Sequence, residues 1–479
     1  MTATERPTLA LAGASGFVGS ALRRALADEY RLVGLSRRPR RSPDTEWRVC
    51  DLYSLLDVEQ ALAGCDVALY LVHSMLPSAR LTQGSFADLD LVLADNFARA
   101  AAKAGVKHIV YLGGLVPDLP EAELSAHLRS RLEVERALGA HGVPVTALRA
   151  GLVVGAGGSS LHIMVSLVKR LPAMVTPAWT ASPTQPIALE DVIRAVRHAL
   201  PRPEEAGVYD IGGPDVMSYR EMMARTARVL GKRRPTLPVP LFTPELSTLW
   251  VTLVTGAPRA LVGPLVQSLR HAMVARPNPL LASLLEDAQG FEEALRAALD
   301  EEARASATPR VADRAAERRE HRPARTVRSV QRLPRPAGLD ADDVARAYLD
   351  WLPRHLWPVL RAERDGDVVS LGFWGLPRPL LELTLSAERS TPDRALFYVT
   401  GGLLARTDGP RPGRLEFRRV MGDAVLAAIH DFQPALPWPV YKATQALAHL
   451  EVMHAFGRHL RALERAPTSA AGKLVEARP

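Results

Sequence analysis

Thr8-Leu9-Ala10-Leu11-Ala12 runs directly into Gly13-Ala14-Ser15-Gly16-Phe17-Val18-Gly19, and Ser20–Asp28 then keeps helical spacing. Strand, glycine turn and helix in that order give a spaced-glycine pattern mechanical meaning. Gly13 permits the tight turn, Gly16 lets backbone come close to a pyrophosphate, and Gly19 lets the helix lie against the strand. Ser15, Phe17 and Val18 line the same turn, where free N–H groups and the helix dipole favour an anion. The stretch therefore reads as a dinucleotide-binding turn.

Outward from it, β-rich runs at Arg31–Ser36, Asp66–Val72, His108–Leu112 and Val143–Leu148 alternate with amphipathic stretches such as Asp88–Ala104. That alternation predicts α/β architecture, a doubly wound parallel Rossmann-type sheet, over residues 1–235. Ligands bind such sheets beyond the carboxyl ends of the strands. The second strand ends in Ser36-Arg37-Arg38, where a site for NAD(H) would carry an acidic residue. Arg37 and Arg38 can instead grip a 2′-phosphate, so the expected cofactor is NADP(H), with NAD(H) as the alternative. Arg40 and Arg41 follow at once, which keeps open the reading of all four as ordinary surface arginines. Asp51-Leu52 falls where the adenine edge would be held, and His73-Ser74 where a fourth strand would meet the ribose and nicotinamide.

The chain has 479 residues, enough for two or three domains. Its net charge of +8 comes from 60 basic residues interspersed with 52 acidic ones, which reads as a solvated surface and not as a nucleic-acid site. Cys50 and Cys65 are too few for a disulfide framework and read as small core residues. No charged segment followed by an apolar run opens the chain, and the apolar region Leu246–Leu269 is broken by Pro258, Arg259 and Pro264. A cytoplasmic protein without a transmembrane segment is expected; peripheral membrane contact stays open. Residues 236–300 read as a helical appendage. Residues 301–328, with eight arginines and five acidic residues, read as a linker, a solvated helix being the alternative. Residues 466–479 are expected to form a disordered tail, and oligomeric state is not legible.

The glycine motif, the Asp51-Leu52 pair, Tyr70-Leu71-Val72-His73-Ser74-Met75, Tyr111-Leu112-Gly113-Gly114-Leu115, Thr184-Gln185-Pro186-Ile187 and Ile211-Gly212-Gly213-Pro214 together resemble atypical or extended short-chain dehydrogenases/reductases, in their NmrA-like NAD(P)-binding branch. The resemblance covers residues 7 to about 275. It implies an oxidoreductase-like protein working on a small, apolar carbonyl or lipid-like substrate, or a non-catalytic NADP(H) sensor or assembly factor. Active members of the superfamily use Ser, Tyr and Lys as a proton relay. Here Gly113-Gly114 stand at the Ser position and His127-Leu128-Arg129-Ser130-Arg131 where Tyr and Lys belong. His127 and Arg131, one helical turn apart, are the replacement candidates: an imidazole expected to titrate near neutrality as acid/base, and a guanidinium to bind the ribose. The alternative is that both only anchor a held cofactor. Arg149-Ala150-Gly151 and Thr184–Ile187 fall where the family's substrate cleft lies; a strand end and a loop brace are the plainer readings. Met164, Met174 and Trp179 read as core or as pocket lining.

Beyond 329 the pattern changes. Helical Asp342–Leu352 is followed by strand-like Asp367–Phe373, Leu380–Ser386, Leu396–Thr400 and Arg414–Val420, then helical Tyr441–Ala462. Successive strands without long intervening helices imply an antiparallel sheet, so 329–465 is expected to be a separate α+β domain. The order is similar in pattern to helix-grip, START-like domains, in which Trp351, Trp357, Trp374 and Trp438 would line an apolar cavity or pack a core. His430, His449, His454 and His459 suggest a metal site, but the last three recur at intervals of five, which diverge on a helix, and no metal is expected.

Overall fold

The structure is a computed structural model that describes residues 6–73, 79–239, 270–307 and 324–465, together with 248, 249, 252, 253, 255, 256, 262, 263 and 268. Part of the expected appendage, the middle of the expected linker, the tail and Ser74 lie outside the described residues. The chain divides into two compact units, residues 1–76 with 90–312, and residues 77–89 with 313–479.

The first unit is built on a seven-stranded parallel sheet: β1 (Thr8–Ala12), β2 (Arg31–Ser36), β3 (Glu46–Val49), β4 (Val67–Tyr70), β5 (His108–Gly114), β6 (Val145–Ala150) and β7 (Val208–Ile211), in the order β7-β6-β5-β4-β1-β2-β3. Leu9, Leu11, Leu69, Val110 and Leu148 are sealed from water because helices cover both faces, the burial that apolar strand runs require. The helices are α1 (Phe17–Leu26), α2 (Leu55–Leu62), α3 (Phe86–Ala104), α4 (Ala126–Gly139), α5 (Ser159–Arg170), α6 (Leu189–Ala199), α7 (Tyr219–Val229), α8 (Pro279–Leu285) and α9 (Phe291–Ala307). From β1 the chain winds outward through β2 and β3, then crosses back to place β4 on the other flank of β1. The strand order therefore reverses between β1 and β4, at the mouth of the glycine turn.

A second cluster in this unit joins Met164, Met174, Met217, Met222, Met223 and Leu295, with Trp179 packed against its edge. Met164, Met174 and Trp179 thus take the core option. Residues 301–307, expected to begin the linker, instead complete α9.

The second unit runs β8 (Ala324–Pro334), α10 (Ala341–His355), β9 (Leu360–Asp365), β10 (Val368–Phe373), β11 (Leu381–Leu385), β12 (Arg394–Gly401), β13 (Arg414–Val420), β14 (Ala424–Phe432), α11 (Trp438–Ala443) and α12 (Gln445–Arg465). Its sheet order is β9-β10-β11-β12-β13-β14-β8, antiparallel throughout, extended by the strand Ala79–Gln83 lying parallel to β8. Asp340 and Asp343 form a reciprocal capping box that starts α10. Tyr348 of α10 meets Phe417 of β13 at 5.4 Å and Phe456 of α12 at 5.1 Å, so both long helices share one core with the sheet. Ring pairs of this kind add about 0.5–1.5 kcal/mol each beyond the area they bury. Residues 324–328, assigned by the sequence to the linker, belong to β8.

Candidate functional site

Gly13 adopts φ +93°, and its amide-to-α1 turn closes with Gly16 N donating to Gly13 O at 2.9 Å. A Cβ on Gly19 would stand 2.1 Å from Gly13 O and 2.9 Å from Ala14 Cα, both backbone atoms that cannot yield. A Cβ on Gly13 would press on Leu71 at 3.1 Å. The turn therefore excludes a side chain at Gly19 and strains one at Gly13. Gly16 is the N-cap of α1 without any side-chain cap, and the first turn carries no acidic residue, so the first N–H groups remain available to an anion. Ser15 and Gly16 are exposed, Phe17 and Val18 half-buried and Gly19 buried.

At the end of β2, Arg38 N donates to Ser36 Oγ at 3.3 Å and Arg40 Nε to the same oxygen at 3.2 Å. Trp47 donates to Ser42 at 2.7 Å and lies between the guanidinium groups of Arg23 and Arg40, 5.6 and 5.8 Å from its ring centroid. Arg23 is spent on Asp44. The side chains of Arg37, exposed, and Arg38, half-buried, make no hydrogen bond or ion pair among the described residues. The end of β2 thus carries two uncommitted guanidinium groups, with Arg40, which the sequence reading passed over as background, beside them.

Asp51 lies past the end of β3, accepting from Tyr53 N at 3.2 Å, while Leu52 O accepts from Asn96 Nδ2 at 2.8 Å. Asn96, on α3, thus fixes the loop that follows β3, and nothing local in the sequence marks it.

At the other flank of the switch point, Tyr70 of β4 and Tyr111 of β5 are register partners whose rings stand 6.2 Å apart. Both are fully buried, and the Tyr70 hydroxyl has no hydrogen-bond partner among the described residues. Burial pushes the Tyr111 phenol up to about 12, against the pull of the Arg131 charge. Arg131 of α4 does not project freely: it is buried and ion-paired with Asp90 of α3. Ser130 Oγ also donates to Asp90, at 3.4 Å. Ser125 caps α4 through Leu128 N at 3.3 Å and so sets the helix phase that brings His127 to the same region.

His127 is half-buried, and its pKa is pushed down to about 3 by burial, then by the Arg131 charge and by His73. This corrects the expectation of titration near neutrality: the imidazole is neutral throughout the physiological range. His73, exposed after β4, is also held below the ordinary histidine range, by surrounding protein and then Arg131. Gly113 has a physical reason to replace the family's Ser, since a Cβ there would meet the Tyr111 ring at 2.8 Å.

The remaining candidates are committed structurally. Arg149 is paired with Glu135 at 2.8 Å, and a Cβ on Gly151 would strike Gln185 O at 2.3 Å. Gln185 is itself a brace: Nε2 donates to Gly213 O at 2.7 Å, and Oε1 accepts from Ala275 N at 2.9 Å. A surface depression lined by Thr146, His198, Arg202 and Pro279 sits at the amino-terminal end of β6, opposite the nucleotide cradle. In the second unit His430 is buried in β14 and His449 Nε2 lies 3.2 Å from Ser329 Oγ.

Residues 9–212 match the NAD dependent epimerase/dehydratase family. The auxiliary protein GraX of Staphylococcus aureus is 33% identical over 144 residues, which are 29% of this chain and 43% of that protein, so the chain spans less than half of that relative. A (4-alkanoyl-5-oxo-2,5-dihydrofuran-3-yl)methyl phosphate reductase of Streptomyces griseus is 28% identical over 221 residues, 46% of this chain and 73% of the relative. Among solved structures, the NADPH-dependent quinone oxidoreductase QOR2 of Escherichia coli, complexed with NADPH, aligns with TM-score 0.48 and 19% identity over 60% of this chain and 98% of that one. Apart from residues 77–89, that family match lies within the first unit, and it covers less than half of the chain. Among the described residues no helix is long and apolar enough to cross a membrane.

Proposed function

We propose that this protein binds NADP(H) in preference to NAD(H) and uses it as an oxidoreductase on a small, apolar carbonyl or lipid-like substrate. The observation carrying the reading is the side-chain-free cradle at Gly13, Gly16 and Gly19, flanked by the uncommitted guanidinium groups of Arg37 and Arg38. The backbone N–H groups at the head of α1 would hold the pyrophosphate, Arg37 and Arg38 the 2′-phosphate, and Asp51-Leu52 the adenine side. When bound, the nicotinamide supplies a hydride. The chain's own contribution to the reacting centre differs from the Ser/Tyr/Lys pattern. A neutral His127 is a poor acid at pH 7 but a competent hydrogen-bond donor, able to polarise a carbonyl oxygen as that oxygen gains charge. Arg131 positions rather than reacts, because Asp90 holds its guanidinium within the protein. The reductase similarity of the Streptomyces griseus relative supports turnover.

A second reading, a non-catalytic NADP(H) sensor or assembly factor, is favoured by one specific feature: the Asp90–Arg131 pair neutralises the cation that a proton relay would need. NADPH oxidation across a panel of apolar aldehydes, ketones and enones, run on wild type and His127→Ala, separates the two. Turnover that falls by about ten- to a thousandfold on substitution, as for loss of one transition-state hydrogen bond, supports the enzyme. NADPH binding without turnover on any member of the panel supports the sensor.

A further inference from the structure

The antiparallel register of the second unit gathers four connections at one end of its sheet. Leu360 pairs with Phe373, Leu371 with Leu381, Glu382 with Gly401, and Arg414 with both Tyr398 and His430. The segments 356–359, 374–380, 402–413 and 433–437 therefore all emerge on that side. They are laced together: Leu403 N donates to Pro379 O at 3.0 Å, Arg406 N to Gln433 O at 2.8 Å, and Ala435 N to Leu404 O at 3.0 Å.

This end carries large apolar side chains that the core does not use. Trp357 is 67% and Trp374 57% exposed, their rings meeting edge to face at 5.6 Å, with Leu376 and Leu403 also exposed on the adjoining loops. Two tryptophans packed edge to face yet exposed to water are costly in an isolated domain and mark a surface that meets something apolar. The charges around them have one dominant sign. Arg354, Arg378 and Arg406 are exposed and have no side-chain hydrogen bond or ion pair among the described residues, and Asp408 is the one acidic residue in the four segments. Tryptophan and aliphatic groups ringed by uncommitted arginines are what the boundary between lipid headgroups and acyl chains selects.

We infer that this end of the C-terminal sheet docks the protein onto an anionic lipid membrane, with Trp357 and Trp374 inserted at headgroup depth and Arg354, Arg378 and Arg406 against the lipid phosphates. The inference stands on the second unit alone and does not depend on nucleotide binding by the first.

The test uses the full chain without nucleotide, pelleted with vesicles of phosphatidylcholine alone and of equimolar phosphatidylcholine and phosphatidylglycerol. Binding to the anionic vesicles and not to the neutral ones is expected. It should fall at least about tenfold for Trp357→Ser/Trp374→Ser and several-fold for Arg378→Glu/Arg406→Glu, and raising salt from about 0.1 to about 0.5 M should mimic the arginine variant. These positions are exposed, so circular dichroism should show both variants folded like wild type; their tryptophan and arginine effects are read independently of each other. Three results overturn the inference: no binding to anionic vesicles, equal binding by wild type and both variants, or a fall in the protein's own molar mass in solution on Trp357→Ser/Trp374→Ser, which would make the patch a contact between copies of this chain.

Discussion

The two flanks of the switch point in the first unit are built differently. On the β1–β2 side, Gly19 leaves no room for a Cβ, Gly13 and Gly16 leave little, and the side chains of Arg37 and Arg38 are uncommitted. On the β4–β5 side it is made from side chains already engaged with one another: Arg131 with Asp90, Ser130 with the same carboxylate, and Tyr70 against Tyr111. The contrast sets a glycine turn with an uncapped helix start against a buried electrostatic unit at the place where the resemblance implies a proton relay, so nucleotide binding and catalysis have to be tested separately.

The sharpest way to break this contrast is to remove the partner of Arg131. Asp90→Ala leaves a buried guanidinium uncompensated and should cost about 3–5 kcal/mol of stability by denaturant unfolding. A loss under about 1 kcal/mol would mean that Arg131 is solvated and free to act on substrate. Next in size, Gly19→Ala forces a Cβ into Gly13 O and should cost about 1–3 kcal/mol while weakening NADPH binding far more than the stability loss alone explains. Full NADPH affinity in that variant would remove the backbone cradle from the account.

Smaller still is Arg40→Ala, expected to lower NADPH affinity about two- to fivefold and leave NADH affinity unchanged, as befits one cation at the edge of a phosphate site and stacked on Trp47. The remaining prediction concerns pH. The folded protein holds His127 at about 3 and His449 at about 4, both below their unfolded values, so the unfolded chain takes up protons that the folded chain refuses. Stability is then fully present above about pH 6.5 and is lost as pH falls toward those folded values. His127→Gln should flatten part of the decline measured between pH 6.5 and 4, and an unchanged slope would show that His127 is solvated.

How much of this was legible in the sequence follows the range of the interactions involved. β1 and β2 occupy the residues their apolar runs marked, because a parallel strand buried on both faces announces itself locally. The cradle was equally plain, since its constraint is the absence of side chains at three fixed spacings. Asp90, Asn96, Tyr70 and Tyr111 were missed because their roles exist only once α3, β4 and β5 are brought together. In the second unit, the first residues of β8, 324–328, fall in the expected linker: the stretch is arginine-rich, and a shift of register between Val327 and Ser329 breaks the alternation that marks a strand. The strand Ala79–Gln83 was invisible for the same physical reason, as its partner lies some 245 residues away in the chain. The closing helix was read as continuous over Tyr441–Ala462, whereas α11 and α12 are separated at Thr444.

The central claim, an NADP(H) cradle closed by Arg37 and its neighbours, is tested most directly by calorimetric titration of the purified chain with NADPH and NADH, repeated on Arg37→Asp. The account predicts NADPH binding at least about tenfold tighter than NADH in wild type, a gap of some 1.4 kcal/mol, and a reversed or abolished preference in the variant. Equal affinity for the two nucleotides in both proteins would contradict the 2′-phosphate assignment, and no binding of either would contradict the cradle itself.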